Sequence, residues 1–491
     1  MPTKPTKAEI AKSRASIDPV GVMSATLAET PELADPLIAR SAANGNNAVT
    51  RDAKGNIVVN SSTDSIHFIG DYITNYEPAA NAFLHALVNR IGMTIITSKL
   101  YDNPWEFMKQ GWLEFGETIE EIYVNIARPF GYSPSKAETD VFKREIPDVR
   151  AAFHRMNYQK FYKVTISNDQ LLQAFLSWTG ISDLIARIVD SLYTAANTDE
   201  YYMMKYMVAN AIVRGYIQPA AIPAATKENS VDVATEFQAI SELLRFQSTK
   251  YTMSGVTTHT DFEDQYLIMD ARFRATMNMN VLATAFNIEY RELMGRIVTV
   301  DDLATHDWER LTMLFTDPDT GEVDPNFHQF TEAEVATLNS CPAVLVSRTF
   351  LQIWDNFRKM TEQYNGQGLY WNYWLHLWKT FSISPFSQAV AYTSQAWSVT
   401  GVTVSPTTAS VDKGQDVMLT AKVAGTGIIN QNVTWSITGN ASSGTYVNGG
   451  KVHVAADETA ATLTVTATSV GDPTKAGSAT ITVNGNTAAE S

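Results

Sequence analysis

Two clusters in the sequence carry side chains of the kind that hold metals. Asp317-Pro318-Asp319-Thr320-Gly321-Glu322 has the outline of a calcium loop. An EF-hand loop needs glycine at its sixth position and a glutamate at its twelfth. Counted from Asp317, glycine falls fifth and His328 twelfth, so the segment reads as an acidic turn. The second cluster is His259, Asp261, Glu263 and Asp264. Metal ligands must converge on one point, and near neighbours along a loop diverge, so this reads as a solvated loop. No metalloprotease helix, P-loop or nucleophile-elbow spacing is present. No isolated pair of carboxylates marks glycosidase chemistry. Cys341 stands before Pro342 and an apolar run, the setting of a buried structural thiol.

A third group invites a binding role. From Lys143 to Lys163 the charge balance inverts. Lys143, Arg144, Arg150, Arg155, Lys160 and Lys163 outnumber Glu145 and Asp148, with Phe153, Tyr158, Phe161 and Tyr162 between them. Basic and aromatic residues together can stack on single-stranded nucleic acid. In a strand, however, only residues i and i+2 share a face, so some of these side chains point apart. The preferred reading is a charged strand that meets an acidic partner. The run Glu114, Glu117, Glu120 and Glu121 suits that partner, within the chain or on a neighbour. The dense aromatic run Tyr370, Trp371, Tyr373, Trp374 and Trp378 fits core packing better than a sugar platform.

These residues sit in a chain of 491 residues with a net charge of −15. That length predicts about three domains. A 45% hydrophobic and 18% charged composition excludes disorder for the bulk of it. The acidic balance speaks against a protein whose main task is gripping phosphate. One cysteine excludes an intrachain disulfide framework and a cysteine-rich zinc site. The opening MPTKPTKAEIAKSRAS is basic and polar with no apolar run behind it, unlike a secretory signal. No stretch approaches the ~20 apolar residues of a membrane span.

The elements that must position the candidate residues follow from periodicity. Residues 1–60 read as an extended or loosely held arm, and helical spacing begins near Asn81. Residues 116–130 and 149–167 read as the two strands of a long hairpin that needs a neighbour to bury it. Residues 181–214 carry helical apolar spacing between Gly180 and Gly215, with a kink or second cap at residues 197–200. Strands are expected over 265–270 and 342–347, and helices over 232–246 and 279–294. Residues 369–393 are expected to return to the layer of the long helix. Near residue 400 the composition breaks. Residues 401–491 hold no Phe, no Arg, two aromatics (Trp435 and Tyr446) and seventeen Thr. Alternating runs at 402–406, 417–423, 432–437, 451–455, 462–469 and 478–483 predict an antiparallel sandwich with Trp435 as a core anchor.

The order of these parts resembles the Hong Kong 97-type capsid fold, and most closely the major head proteins of short-tailed phages similar to phage phi 29. The resemblance is carried by GETIEEIYVNIA (116–127), VFKREIPDVRAAFHRMNYQKFY (141–162), TDEYYMMKYMVAN (198–210), MNVLATAFN (279–287) and GLYWNYWLHLWKTFSISPFSQAVAYTS (368–394). The tail, VTVSPTTASVDKGQDVMLTAKV followed by VTWSI, is similar to a bacterial Ig-like group 2 module.

This resemblance implies an α+β capsid subunit with a C-terminal all-β Ig-like sandwich. Residues 1–97 would be an N-terminal arm and lead-in helix, 98–168 an extended hairpin loop, and 169–217 a peripheral domain with the spine helix. Residues 218–355 would be the axial domain, 356–398 the return to the peripheral domain, and 399–491 the Ig-like module. The implied role is structural. Copies would assemble as pentamers and hexamers into an icosahedral or prolate head shell around double-stranded DNA, in the virion, after synthesis in the host cytoplasm. A scaffolding protein and a portal would take part in assembly. DNA contact would be weak and interior, and the Ig-like module would face a head fibre or host-surface carbohydrate. No enzyme activity, cofactor, metal or membrane is implied, and no lysine–asparagine crosslink set is found. Glu117, Glu120, Glu121, Arg144, Arg150, Arg155, Lys160 and Lys163 are the expected subunit contacts. Two other readings predict different sequences. A secreted polysaccharide enzyme with an accessory module would show an export signal and paired carboxylates. A nucleic-acid-binding scaffold would be net positive.

Overall fold

The computed structural model describes residues 18–74, 82–84, 86–87, 103–114, 118–127, 149–226, 228–277 and 296–485. Within residues 18–60 the expectation of a loosely held arm is corrected. Asp18 caps helix α1 (Pro19–Glu29), and proline opens helix α2 (Pro31–Ala43), where a missing N–H costs nothing. A small hairpin, β1 (Val49–Arg51) with β2 (Ile57–Val59), leads to α3 (Thr63–Thr74). Met23, Leu27, Leu37, Ile66, Ile69 and Ile73 are fully buried in one core. The polar composition hid a helical i, i+3, i+4 apolar pattern that is short in each helix and complete only when the helices pack.

The long apolar run forms a continuous helical rod. A capping box of Ser167 and Gln170 starts α4 (Asn168–Ala174). Next come α5 (Trp178–Val189), one π turn (Asp190–Thr194) and α6 (Ala195–Val213). Residues 197–200 lie inside regular helix, and the irregularity is the π turn just before them. Gly180 lies inside α5 rather than before it, where a Cβ would meet the Ala174 carbonyl at 2.8 Å. Gly215 ends the rod at φ +70°, the left-handed position that favours glycine.

Two sheets flank this rod. Five strands are β7 (Gln218–Ala221), β8 (Gln265–Asp270), β9 (Ile297–Val300), β10 (Ala343–Ser347) and β13 (Ala389–Thr393), in the order β7–β13–β10–β8–β9. Every residue of central β10 is buried. Pro219 sits in β7, an edge strand, where its missing donor is tolerated. Helices α7 (Ser230–Leu244) and α8 (Ala271–Thr276) pack beside this sheet, while α9 (Trp308–Phe315) and α10 (Glu332–Asn339) pack on α6. The expected strands at 265–270 and 342–347 and the helix at 232–246 are all present. The helix expected over 279–294 lies outside the described residues.

The second sheet joins β3 (Gly111–Trp112), β6 (Tyr158–Ser167), β11 (Leu351–Asn365) and β12 (Tyr370–Ile383) in the order β3–β11–β12–β6. A bulge at Asp355/Phe357 inserts Asn356. One face, with Ile166, Trp371, Tyr373 and Leu375, closes the N-terminal core. The aromatic run therefore splits by strand alternation. Trp371 and Tyr373 are core, whereas Trp374 and Trp378 are half-buried on the other face. The stretch 369–393 also divides, β12 joining this sheet and β13 the five-stranded one.

The C-terminal region is all strand: β14 (Ser398–Ser405), β15 (Thr408–Asp412), β16 (Asp416–Met418), β17 (Thr420–Thr426), β18 (Val433–Thr438), β19 (Tyr446–Asn448), β20 (Lys451–His453), β21 (Thr462–Ser469) and β22 (Ala476–Asn484). They pair as β14–β17, β15–β22–β21–β18 and β16–β20–β19. Val404, Leu419, Val452, Leu463, Val465 and Ile481 form their own core. Trp435 packs against that core only partly buried, one edge of it open to a cleft described below.

Candidate functional site

The hairpin expected to reach a neighbour is real over a shorter span. β4 (Ile119–Val124) pairs antiparallel with β5 (Val149–His154), Glu120 opposite Phe153 and Tyr123 opposite Arg150. The rest of the basic run, β6, leaves the hairpin and pairs with β12. Alternation gives the hairpin two unlike faces. The inner face is fastened to the same chain. His154 Nε2 lies 3.1 Å from Glu121 Oε2, and its Nδ1 lies 2.7 Å from Ser382 Oγ. Ser384 Oγ donates to Glu121 Oε1 at 2.8 Å. Tyr123 donates to the Thr257 carbonyl and stacks on Phe386, and Arg150 donates to the Ser254 carbonyl. The outer face holds Glu120 with Ile122, Val124, Val149 and Phe153, the last 57% exposed.

Among the described residues the structure does not bring the basic residues onto the acidic run. Arg150 points to the 254 loop, and Arg155 is exposed. Lys160 Nζ donates to the carbonyls of Met313 and Thr316, and partial burial holds its ammonium below the usual range. Lys163 lies over the Trp374 ring, 5.7 Å from its centre. Glu120 is exposed, Glu121 takes His154, and Glu114 is exposed. Glu117 and Arg144 lie outside the described residues.

Sequence reasoning missed a buried charge cluster. Glu200 on α6 pairs with Lys379 of β12, and Lys109 sits 3.3 Å from the same carboxylate. Asp355 closes the set, 2.6 Å from Lys109 and 3.1 Å from Lys379. Asn103 Nδ2 donates to Glu200 Oε1 at 2.9 Å. Burial would raise the Glu200 pKa, but the two ammonium groups hold it below the usual range. Nearby, Asp199 accepts from Arg310 and from Tyr162, the latter at 2.5 Å, and Tyr162 also meets the Tyr158 hydroxyl at 2.7 Å. Fully buried Lys205 reaches Asp301 at 2.6 Å. The available signal was a lone charge inside an apolar run, as in EYYMMKYMVA and WLHLWKTF. Such a charge is costly unless paired.

The candidate metal clusters lie in loops and short turns. His259 Nε2 is 3.9 Å from Asp261, both exposed, and Asp317 Oδ1 is spent on the backbone N–H groups of Asp319 and Thr320. Among the described residues no group of three or more His, Cys, Asp or Glu could hold a metal ion. Burial pushes the Cys341 thiol up to about 12, which leaves it unreactive. Among the described residues no helix is long and apolar enough to cross a membrane.

The C-terminal strands are docked through the loop between β17 and β18. Ile428 enters the central core, Asn430 Nδ2 donates to buried Gln218 Oε1 at 2.6 Å, and Gln431 N donates to the Gly215 carbonyl at 2.7 Å. Asn432 adds a bond to the Tyr216 carbonyl. Beside this joint lies a cleft of about 560 Å³ where Arg150, Ser254, Phe386, Asn432 and Trp435 meet.

A chain with an exposed apolar hairpin face and a half-open aromatic sheet face is one that meets other chains, and comparison with known proteins defines which class. Residues 46–393 match the Phi29-like phage major capsid protein family. The major capsid protein of Bacillus phage GA-1 is 34% identical over 374 residues, 73% of this chain and 71% of that one. The major capsid protein of Bacillus phage B103 is 32% identical over 433 residues, 86% and 88% of the two chains. The chain belongs to the Phi29-like phage major capsid protein family. Its role is structural: it assembles with copies of itself into the head shell of a tailed phage and is a component of the virion. Among solved structures, the capsid of Staphylococcus phage Andhra is similar at a TM-score of 0.45 and 17% identity, over 60% of this chain and 84% of that one.

Proposed function

We propose that the subunit has the Hong Kong 97-type arrangement and acts without catalysis. In this reading the α5–α6 rod is the spine of the peripheral domain, the five-stranded sheet belongs to the axial domain, and the C-terminal strands are an Ig-like module. Copies pack as pentamers and hexamers in an icosahedral or prolate shell, made in the host cytoplasm with a scaffolding protein and a portal. The Ig-like module faces outward to a head fibre or host carbohydrate, and DNA touches the inner wall weakly.

The observation that carries the reading is the two-faced β4–β5 hairpin. Its inner face is fastened to its own chain, while Ile122, Val124, Val149 and Phe153 stay in water. Apolar surface left on an ordered hairpin is stabilised only by a cover, and an adjacent subunit supplies one. Glu120 on the hairpin, Arg155 just after it and Lys163 on β6, all exposed, keep their assignment as contact residues, and Glu117 and Arg144 join them by sequence. Glu121, Arg150 and Lys160 support the contact from within the chain. The test is negative-stain electron microscopy with light scattering on the purified chain, alone and with a candidate scaffolding protein from the neighbouring genes. Closed shells, tubes or capsomer rings are expected. Monomers under both conditions would overturn it.

A further inference from the structure

We propose that the open face of the four-stranded sheet receives the acidic turn at residues 316–324 of a second copy of the chain. The inference rests on the shell-forming role and adds a contact separate from the hairpin.

The open face is set by strand alternation. It comprises the odd positions 159–165 of β6, the even positions 372–378 of β12 and the odd positions 357–363 of β11. None of these positions holds a carboxylate, although the chain has 52 acidic residues. The acids of these strands lie on the opposite face: Asp355, before the bulge at Asn356, stands across from Lys379, and Glu362 across from buried Tyr373. The face instead offers rings and cations. Phe161 is 60% exposed and lies 5.8 Å from the His376 ring. Lys163 lies over Trp374, and exposed Lys359 has no carboxylate partner among the described residues.

The turn has the opposite character. Asp317, Asp319, Glu322 and Asp324 are all exposed, and no Lys or Arg occurs from Thr316 to Gln329. It is also rigid. Thr316 bridges Val323, Asp317 N donates to the Glu322 carbonyl at 2.9 Å, and Asp324 N donates to the Phe315 carbonyl at 2.9 Å. Asp317 and Asp324 spend an oxygen on local N–H groups. Asp319 and Glu322 form no ion pair among the described residues, and Val323 beside them is 40% exposed.

Two uncommitted carboxylates around an apolar side chain thus match two uncommitted ammonium groups around aromatic rings. Both surfaces are pre-organised, so joining them costs little ordering entropy, and opposite charge fixes the register. The turn does not serve its own sheet in this way. Lys160, whose position has the buried-face parity, holds the Thr316 carbonyl and roots the turn on that side. The contact is therefore head-to-tail between copies, the kind that closes a ring.

Reversing one side's charge (Asp319→Lys with Glu322→Lys, or Lys163→Glu with Lys359→Glu) should raise the concentration needed for assembly about tenfold or more. Far-ultraviolet circular dichroism and thermal unfolding of the same full-length chains should stay unchanged. Combining all four reversals should restore assembly. A Glu322→Cys, Lys359→Cys chain should give a ladder of disulfide-linked oligomers under oxidant that neither single variant gives, because Cys341 is buried. Shells that form normally from either reversed chain, or no recovery in the fourfold variant, overturn this contact and leave the shell reading standing. Assembly untouched by Lys163→Glu with Lys359→Glu, with loss of binding to a labelled oligonucleotide, overturns it in favour of nucleic acid. A parent chain that forms no assembly overturns both readings together.

Discussion

Lys379 of β12 and Glu200 of α6 form an ion pair in which both side chains are at least 90% buried. The pair bolts the four-stranded sheet to the helical rod. Its two charges are satisfied by Lys109, Asp355 and Asn103, so neither is stranded. Removing one partner strands the others. Lys379→Met should lower unfolding stability by about 3–5 kcal/mol in urea titrations at pH 7. A loss below about 1 kcal/mol would show that the cluster contributes little.

The same cluster gives the fold an acid limit. Glu200 and Asp355 are both held below their usual pKa. A depressed carboxylate contributes stability above its unfolded pKa and loses it as pH falls through the folded value. Stability should therefore drop steeply below about pH 4.5. In Lys379→Met that part of the slope should be reduced, because the depression depends on the lysine.

His306 acts in a higher window. It is packed against Trp308 and Phe330, its Nδ1 faces the Ala304 carbonyl at 3.2 Å, and its Nε2 has no partner among the described residues. Burial lowers its pKa to about 4. The unfolded chain then takes up a proton that the folded chain refuses, so stability should decline as pH falls from about 6.5 toward 4. Urea midpoints measured across that interval should flatten in His306→Phe. An unchanged slope would assign the effect elsewhere.

The hairpin's two faces should respond differently. Ile122→Asp and Phe153→Ser alter side chains that are more than half exposed and place no like charge opposite Glu120, so unfolding should shift by no more than about 0.5 kcal/mol while assembly is lost. Glu121→Ala breaks the link to His154 and Ser384 and should loosen the hairpin, read as faster amide exchange in β4 and β5. Normal shells from both outer-face variants would remove the hairpin from the contact.

Removing residues 400–491 tests the joint at Gly215. The composition break alone predicts an untouched remainder. The structure predicts a cost, because Ile428 leaves the central core and buried Gln218 loses Asn430. The shortened chain should fold but lose about 2–4 kcal/mol. Gly215→Ala in the full chain should cost at least about 1–2 kcal/mol for the left-handed backbone alone. Its Cβ would also clash with the Ile429 carbonyl.

What was legible in the sequence was whatever repeats locally. The rod, β8, β10, α7 and the C-terminal strands announce themselves by period. The N-terminal helices did not, because Met23, Leu27 and Leu37 are sparse until α3 completes their core. The hairpin was half legible. Alternation marked 119–124 and 149–154 as strand, but β6 changes partner at residues 155–157, and partner choice is a long-range property. The contact residues were sorted least well. Sequence showed the charges of Lys160 and Lys163 but not that neighbours of opposite parity face a helix end and an indole. The Glu200–Lys379 pair spans 179 residues, beyond the reach of any motif.

The clamp formed by Ile428, Asn430 and Gln431 also has a mechanical meaning. A module hung on a flexible linker would swing independently of its support and smear out in any averaged image. This one is welded to the end of the rod, so its azimuth and tilt are inherited from the body. Every symmetry operation that repeats the body repeats the module as a fixed lever. In the assembled shell its strands, Tyr446 among them, repeat with one spacing and one aim. Any weak contact the module makes is thereby multiplied across copies, an avidity set by geometry rather than by the strength of any single contact.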